Sequence, residues 1–434
     1  MRIPFSPPLI TDDVYQHVRE VLESGWITTG PKTAALEEEF RAFTSAQAAT
    51  AVNSWSSGAI LTLHWLGLQP GDEVIIPAYT YAATGLSVLH AGGTVVMCDV
   101  GDDFCVDPVE LAKLITPRTK AVIPVDFGGM PVDYDAISQV VDNASGSFVA
   151  SSTVQEAFGR IAVIADAAHS FGATVDGDSA IHKADITIYS THAVKNLTTA
   201  EGGMIVLNLP ASFDAQAEEK WFRLNRLNGQ TKDAFAKTKA GGWRYDIVSK
   251  GMKCNMPDIC AAIGLGQMAT YPEALKRRRE IYERYARAFS DGPFILPATD
   301  IDGRSSSCHL FALRLADGLN AKTPEDGTLR DQIIQYAADR EVAFNVHFLP
   351  LPELTLFSEM GYRAQDVPNT VRLSHSEISL PIYPQMTDEM VDHVAKTVQK
   401  ALLELTSEGR PRKADRLAKR SAERTHGAPS RVRS

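Results

Sequence analysis

The sequence predicts an α/β fold: a mostly parallel central sheet followed by a smaller C-terminal α+β domain. Three observations carry this. Short apolar runs rich in β-branched residues alternate with helical patterns between residues 73 and 208, the rhythm of parallel strands covered on both faces. Beyond residue 295 that rhythm gives way to mixed strand and helix patterns. The 434 residues also exceed what one hydrophobic core usually serves, so one large and one smaller domain are expected.

The strands follow in order. "DEVIIP" (72–77) comes straight after Pro70 and Gly71, a turn signal. "GTVVMCDV" (93–100), "KAVIPVDFGG" (120–129), "RIAVIADAAHSFG" (160–172), "ADITIYS" (184–190) and "GGMIVLN" (202–208) follow, each closing in small or polar residues. Helical periodicity covers Asp107 to Ile115 and Tyr134 to Val141, and 142–159 reads as a surface loop or a broken helix. A long helical pattern runs from Pro257 to Phe289, its "KRRREIYERYARAF" suiting an exposed or interdomain face. Later, "HLFALRL" (309–315), "REVAFNVHFLP" (340–350) and "TVRLSHSEISLPIYPQM" (370–386) mix strands with turns, between helices at 326–338 and 387–404. The expected division is a large domain with the N-terminal segment (1–250), a connecting long helix (251–290), a small domain (291–405) and a basic, disordered tail (406–434).

A net charge of −10 argues against general nucleic-acid binding, which needs a basic face. No apolar run reaches the roughly 18 residues of a membrane span, and the start lacks the apolar core of a signal peptide. Five cysteines without a CxxC or a nearby histidine at metal spacing read as free thiols, so no metal and a cytoplasmic location are expected. The sequons at Asn143 and Asn196 then carry no weight. GxGxxG after a strand, Walker A and HExxH are all absent.

In sheets of this kind ligands gather at the carboxyl ends of strands. Asp166 ends "AVIAD", while Ser190 and Lys195 follow "ITIY". A strand-end acid, a lysine twenty-nine residues later and a Ser-rich helix start near residue 56 suit pyridoxal 5'-phosphate. The amine links to the cofactor aldehyde, the carboxylate keeps the pyridine nitrogen protonated, and a helix N-terminus takes the phosphate. By position alone a surface lysine and a turn aspartate fit equally.

"SGWITTGPKTAALEEEF" (24–40), "AVNSWSSG" (51–58), "PAYTYAAT" (77–84), "ADAAHSFGA" (165–173), "STHAVKNLTTAEGG" (190–203) and "GMKCNMPDICAAIGLGQ" (251–267) together resemble the DegT/DnrJ/EryC1/StrS family of sugar aminotransferases. "CHLFAL" (308–313), "VHFLPL" (346–351) and "SLPIYPQMT" (379–387) extend the likeness, which spans residues 3 to 400 in order. It is greatest to members that aminate C4 of a nucleotide-linked 4-keto sugar, such as the UDP-4-amino-4-deoxy-L-arabinose aminotransferase.

The resemblance implies the fold-type I, aspartate-aminotransferase-like architecture. It implies Lys195 as the cofactor-bearing lysine and proton carrier, Asp166 at the pyridine nitrogen and His169 near the phenolic oxygen. Ser56, Ser57 and Ser190 would hold the phosphate, and Tyr81 would stack on the ring. Asn255 would reach the phosphate of a neighbouring subunit, giving a homodimer with shared active sites. His192 would act near the substrate, while His309, His347 and Phe348 would line the sugar and nucleotide region. Plainer roles stand beside these: a helix N-cap pair for Ser56 and Ser57, a core aromatic for Tyr81, a structural histidine for His169, a turn for Asn255. Trp55 and Thr191 depart from the family, which has a small residue and Phe there.

The implied reaction takes the amino group of L-glutamate, leaves 2-oxoglutarate with pyridoxamine 5'-phosphate, and delivers the amine to a 4-keto nucleotide sugar. Arg223, Arg226, Arg244 and Lys250 are candidates for the donor carboxylate and the sugar diphosphate. The alternatives are C3 amination of a 3-keto sugar and a non-enzymatic regulator on the same scaffold. Retention of both Lys195 and Asp166 favours an enzyme. A dehydrating relative would carry His in place of Lys195.

Overall fold

The computed structural model describes residues 1–231, 244–319 and 328–406; the basic tail expected at the end falls outside them beyond Thr406. Seven strands form the central sheet: β1 (Ala48–Val52), β2 (Glu73–Pro77), β3 (Thr94–Cys98), β4 (Thr119–Val122), β5 (Ala162–Asp166), β6 (Ile186–Ser190) and β7 (Gly203–Leu207). Their order across the sheet is β1-β7-β6-β5-β4-β2-β3. Pairs β2–β3, β2–β4, β4–β5 and β5–β6 are parallel, whereas β7 runs antiparallel to both neighbours.

Residues of β2, β4 and β5 are buried throughout, as strands covered on both faces must be. Alternation divides them between two cores. Val74, Ile76, Ile164 and Ile188 pack with the helix Trp55–Trp65, and Ile75, Val122 and Val163 pack with Tyr134 and Ile137 of the helix Tyr134–Ala144. β1 is the sheet strand missing from the sequence-based expectation, because three of its five residues are alanine, a weak strand former.

The pattern over Pro257–Phe289 is two helices, Asp258–Met268 and Tyr271–Phe289, not one. Pro272 has no N–H to continue the first helix and sits instead in the opening turn of the second. Segment 142–159 is a broken helix: the preceding helix ends at Ala144, a 3₁₀ turn spans Ser145–Ser147, and a short helix spans Thr153–Phe158. Gln155 within it is fully buried and donates to the Leu66 carbonyl at 3.2 Å.

The second core is built on the strand Phe311–Leu315, flanked antiparallel by Phe294–Ile295 and Glu377–Leu380. Helices Tyr271–Phe289, Leu329–Ala338 and Asp388–Thr406 cover it with Tyr285, Ile333 and Val394. Ile3 joins this core and bridges to Val342. The run 340–350 contributes only isolated bridges, and much of 370–386 is a helix, Pro368–Ser376, because Pro368 starts it with favourable φ.

Candidate active site

Where β6 ends at Ser190, the chain turns into the loop that holds Lys195. The loop is closed by Thr191, whose N–H donates to the Gly202 carbonyl at 3.0 Å and whose hydroxyl lies 2.6 Å from that of Thr199. Thr191 thus serves as a buried staple, which accounts for a small polar residue there. The Lys195 N–H donates to the His192 carbonyl at 2.9 Å, fixing the lysine one turn after the strand.

Asp166 terminates β5, next to β6 in register with Ile188. Its carboxyl is buried and accepts from the Thr84 hydroxyl at 2.9 Å and the Ala168 N–H at 3.2 Å. Burial pushes it up to about 7, against the pull of those donors and of Lys195. Lys195 is partly exposed at the cavity wall, yet desolvation lowers its ammonium to about 8 while Asp166 opposes the shift. Thr84 sits at Asp166 from eighty-two positions away, a partner sequence reading does not reveal.

The phosphate end is assembled by close backbone approach. Gly203 pairs with Ser190 on one side and Val52 on the other. A Cβ on it would meet the backbone of Ser54 and Trp55 at 2.8 Å, so glycine lets the start of the helix Trp55–Trp65 lie against the ends of β6 and β7. The helix start that carries Ser56 and Ser57 thus lies against the strand end next to Ser190. The cap is Ser54, accepting from the Ser57 N–H at 3.1 Å, and not the Ser56–Ser57 pair. Trp55 points inward and donates its indole N–H to the Ile188 carbonyl at 3.0 Å, so its bulk leaves the loop free.

Tyr81 is 67% exposed, which rejects the core-aromatic reading. Its ring centroid lies 6.1 Å from that of Phe348, which in turn stacks on His169 at 6.0 Å and 19°. His169 is buried and held neutral by desolvation; its Nδ1 accepts from the Gly128 N–H at 3.3 Å, leaving the proton on Nε2. His309 packs on it at 4.4 Å, also neutral by burial, with Nδ1 2.8 Å from Oδ1 of Asn196. Lys195, His309 and His347 line one cavity with Phe5 and Ser6 of the N-terminal segment. Asn196, noted in the sequence only as a sequon, and Ser307, whose hydroxyl donates to the His169 carbonyl at 2.6 Å, are positioning residues for which the sequence pattern indicated no role in the site.

His192 is half exposed at the mouth of the loop, Nε2 lying 3.6 Å from Glu201. Asn255 bridges to Val52 and bonds Thr29 and Lys253 within the chain. Arg223 and Arg226 both donate to buried Glu37, which gives these two candidates a structural partner within the chain; Arg226 is itself buried. Arg244 and Lys250 are exposed.

The donor set suits pyridoxal phosphate. Asp166 is a buried acid that accepts from neutral groups and from no cation among the described residues, so a protonated ring nitrogen would complete it. The first amides of the helix Trp55–Trp65, with the serine hydroxyls, would take a dianion.

Residues 8–399 match the model of the DegT/DnrJ/EryC1/StrS aminotransferase family. The chain is 37% identical over 402 residues, 92% of its length and 96% of the relative's, to the spore coat polysaccharide biosynthesis protein SpsC of Bacillus subtilis. Its fold is similar to the putative sugar aminotransferase Spr1654 from Streptococcus pneumoniae. The PMP form aligns with a TM-score of 0.88 and 40% identity, over 93% of this chain and 99% of that one. The PLP form aligns with a TM-score of 0.88 and 38% identity, over 94% and 100%.

Proposed function

The chain belongs to the DegT/DnrJ/EryC1/StrS aminotransferase family, and from that premise we propose that it moves the amino group of L-glutamate to the C4 keto group of a nucleotide-linked 4-keto sugar. It is a sugar aminotransferase of fold-type I, and its cofactor is pyridoxal 5'-phosphate, with pyridoxamine 5'-phosphate as the other half-cycle's form. The observation that carries the reading is the Lys195 amine: lowered to about 8 by burial, beside buried Asp166, in a cavity whose other titratable walls are the neutral imidazoles of His309 and His347.

The cofactor, when bound, supplies the electron sink that lets a C–H bond next to nitrogen ionise. The residues of this chain do the rest. Asp166 would accept a hydrogen bond from a protonated ring nitrogen and hold its positive charge. Lys195 Nζ, freed from the cofactor and easily deprotonated, would move a proton between the donor carbon and the cofactor's C4' in one half-cycle, and between C4' and the sugar carbon in the other. His169 offers a neutral Nε2–H to the ring substituents. Ser56, Ser57, Ser190 and the helix amides hold the phosphate, and Tyr81 covers the ring. His309, His347 and Phe348 shape the sugar side, and Arg244 or Lys250 meets the carboxylate and diphosphate. Asn255 reaches a partner's cofactor in a homodimer.

The likeness to C4-aminating members, which extends to the loop that carries His192, is the ground for the C4 position. SpsC, named for polysaccharide biosynthesis, supports a glycan sugar as the product. The test is glutamate-dependent amination of 3-keto and 4-keto nucleotide sugars, with the amino position read by NMR. The expected product is a 4-amino sugar; a 3-amino sugar, or no transfer, contradicts the assignment.

A further inference from the structure

Hydrogen-bonded to His347 is a chain of polar groups that the reaction as described does not use. Glu377 and Ser379 both sit on the strand Glu377–Leu380, and both are fully buried. They are two residues apart, so their side chains share one face. Ser379 Oγ is hydrogen-bonded to Glu377 Oε1, and it lies 2.8 Å from His347 Nδ1. The other carboxyl oxygen, Oε2, accepts from the His347 backbone N–H at 3.0 Å. Carboxyl, hydroxyl and imidazole therefore form a continuous line that ends at the cavity shared with Lys195.

A hydroxyl has one proton to donate, so the line has two self-consistent settings. With Glu377 ionised, Ser379 donates to the carboxylate and accepts from Nδ1–H, leaving His347 Nε2 as an acceptor. With Glu377 protonated, the acid donates to Ser379, Ser379 donates to Nδ1, and His347 carries its proton on Nε2.

We propose that Glu377 and Ser379 form a proton relay through His347, and that the protonation state of Glu377 sets which tautomer His347 presents to the cavity holding Lys195. The transfer balances without a co-reactant. A proton taken up at Nε2 releases the Nδ1 proton to Ser379 Oγ, whose own proton passes to Glu377 Oε1; the reverse sequence returns it. Glu377 and Ser379 are positioning residues, acting on the reaction through His347.

The surroundings permit both settings near neutral pH. Burial pushes Glu377 up to about 8, opposed by Ser379, by the His347 N–H and by Arg330. Arg330 donates to the Ser374 and Glu377 carbonyls, so it faces this strand from the helix Leu329–Ala338. Tyr79, on the sheet side, donates its hydroxyl to the His347 carbonyl. Burial keeps the imidazolium from forming, and Lys195 on the wall of the same cavity adds to the effect, so the ring answers by changing tautomer and not by charging.

The inference rests on the assignment of His347 to the substrate side, and its test has a readout that needs no substrate. In protein labelled with ¹⁵N-histidine and loaded with cofactor, the His347 resonance is assigned with His347→Gln and followed from pH 6 to 9.5. The wild type should exchange Nε2–H for Nδ1–H as pH rises; Glu377→Gln and Ser379→Ala should each hold one tautomer across the range. Ser379→Ala should also lower kcat about tenfold with KM nearly unchanged, and flatten the alkaline limb of the kcat profile. One wild-type tautomer at every pH, or variants that still switch, would overturn the relay. A switch that is present while both variants keep full kcat would overturn its role in the reaction. Failure of the keto-sugar assay alone would touch the substrate assignment and leave the tautomer result standing. If Glu377→Gln does not fold, Ser379→Ala carries the comparison, since it removes one atom and no backbone bond.

Discussion

Two clusters of ionisable groups beside the seven-stranded sheet are built in opposite ways. Around Glu37 every charge has a partner. The carboxylate accepts from the Ala51 N–H at 3.0 Å, from Arg223 at 2.7 Å and from Arg226, which also donates to the Ala51 carbonyl at 2.6 Å. Around Asp166 and Lys195 the hydrogen bonds come from neutral groups, and burial drives acid and amine toward each other's range, about 7 and about 8. The first cluster ties the helix Pro31–Thr44 to β1 and to the helix Ala215–Asn225. The second can gain or lose a proton near neutral pH. Buried charge points to chemistry where no opposite charge has fixed it, and to structure where one has.

The contrast can be broken at either cluster. Lys195→Ala should remove turnover by on the order of 10⁴-fold or more, as loss of a covalent catalytic group does, while circular dichroism stays unchanged. Arg226→Ala should do the reverse. Leaving Glu37 buried with only Arg223 and the Ala51 N–H as partners should cost about 1.5–3 kcal/mol in denaturant unfolding, and the folded fraction should still bind cofactor.

Asp166→Asn should divide activity from stability. Turnover should fall about 10²–10³-fold, the scale of losing one preorganised electrostatic contact. The folded protein holds the Asp166 proton up to about pH 7, whereas the unfolded chain releases it near the ordinary value of 3.8. The stability from that proton is therefore complete below the unfolded value and lost as pH rises through 7. Asparagine has nothing to release, so cofactor-free Asp166→Asn should be more stable than the wild type at pH 8, by on the order of a few kcal/mol, with the gap closing toward pH 4. An equal gap at both pH values would show that the acid is not desolvated as described. The smallest effect is Ser54→Ala: about 1 kcal/mol of stability from the lost cap, with faster phosphate-dependent loss of cofactor on dialysis.

Much of this contrast was legible in the sequence on one side only. Asp166, Ser190 and Lys195 could be placed because strand ends in a parallel sheet converge, and the runs "AVIA" and "ITIY" mark those ends. Arg223 and Arg226 looked like substrate cations because their partner, Glu37, lies more than 180 positions away. For the same reason Thr84, Asn196 and Ser307 escaped notice. Their side chains gain meaning only when the fold brings them to Asp166, His309 and His169. The Ser56–Ser57 cap was misplaced by two residues because Trp55, a poor candidate for a helix start, turns its ring into the core. The break between the helices Asp258–Met268 and Tyr271–Phe289 was hidden by apolar periodicity that continues across it; Pro272 was the signal that should have prevailed.

The central claim is that Lys195 alone carries the cofactor. Borohydride reduction of the protein loaded with pyridoxal phosphate, followed by digestion and mass spectrometry, tests it directly. A single pyridoxyl label on the peptide containing Lys195 is predicted. A label on another lysine, or none on a protein that binds the cofactor, would contradict the account.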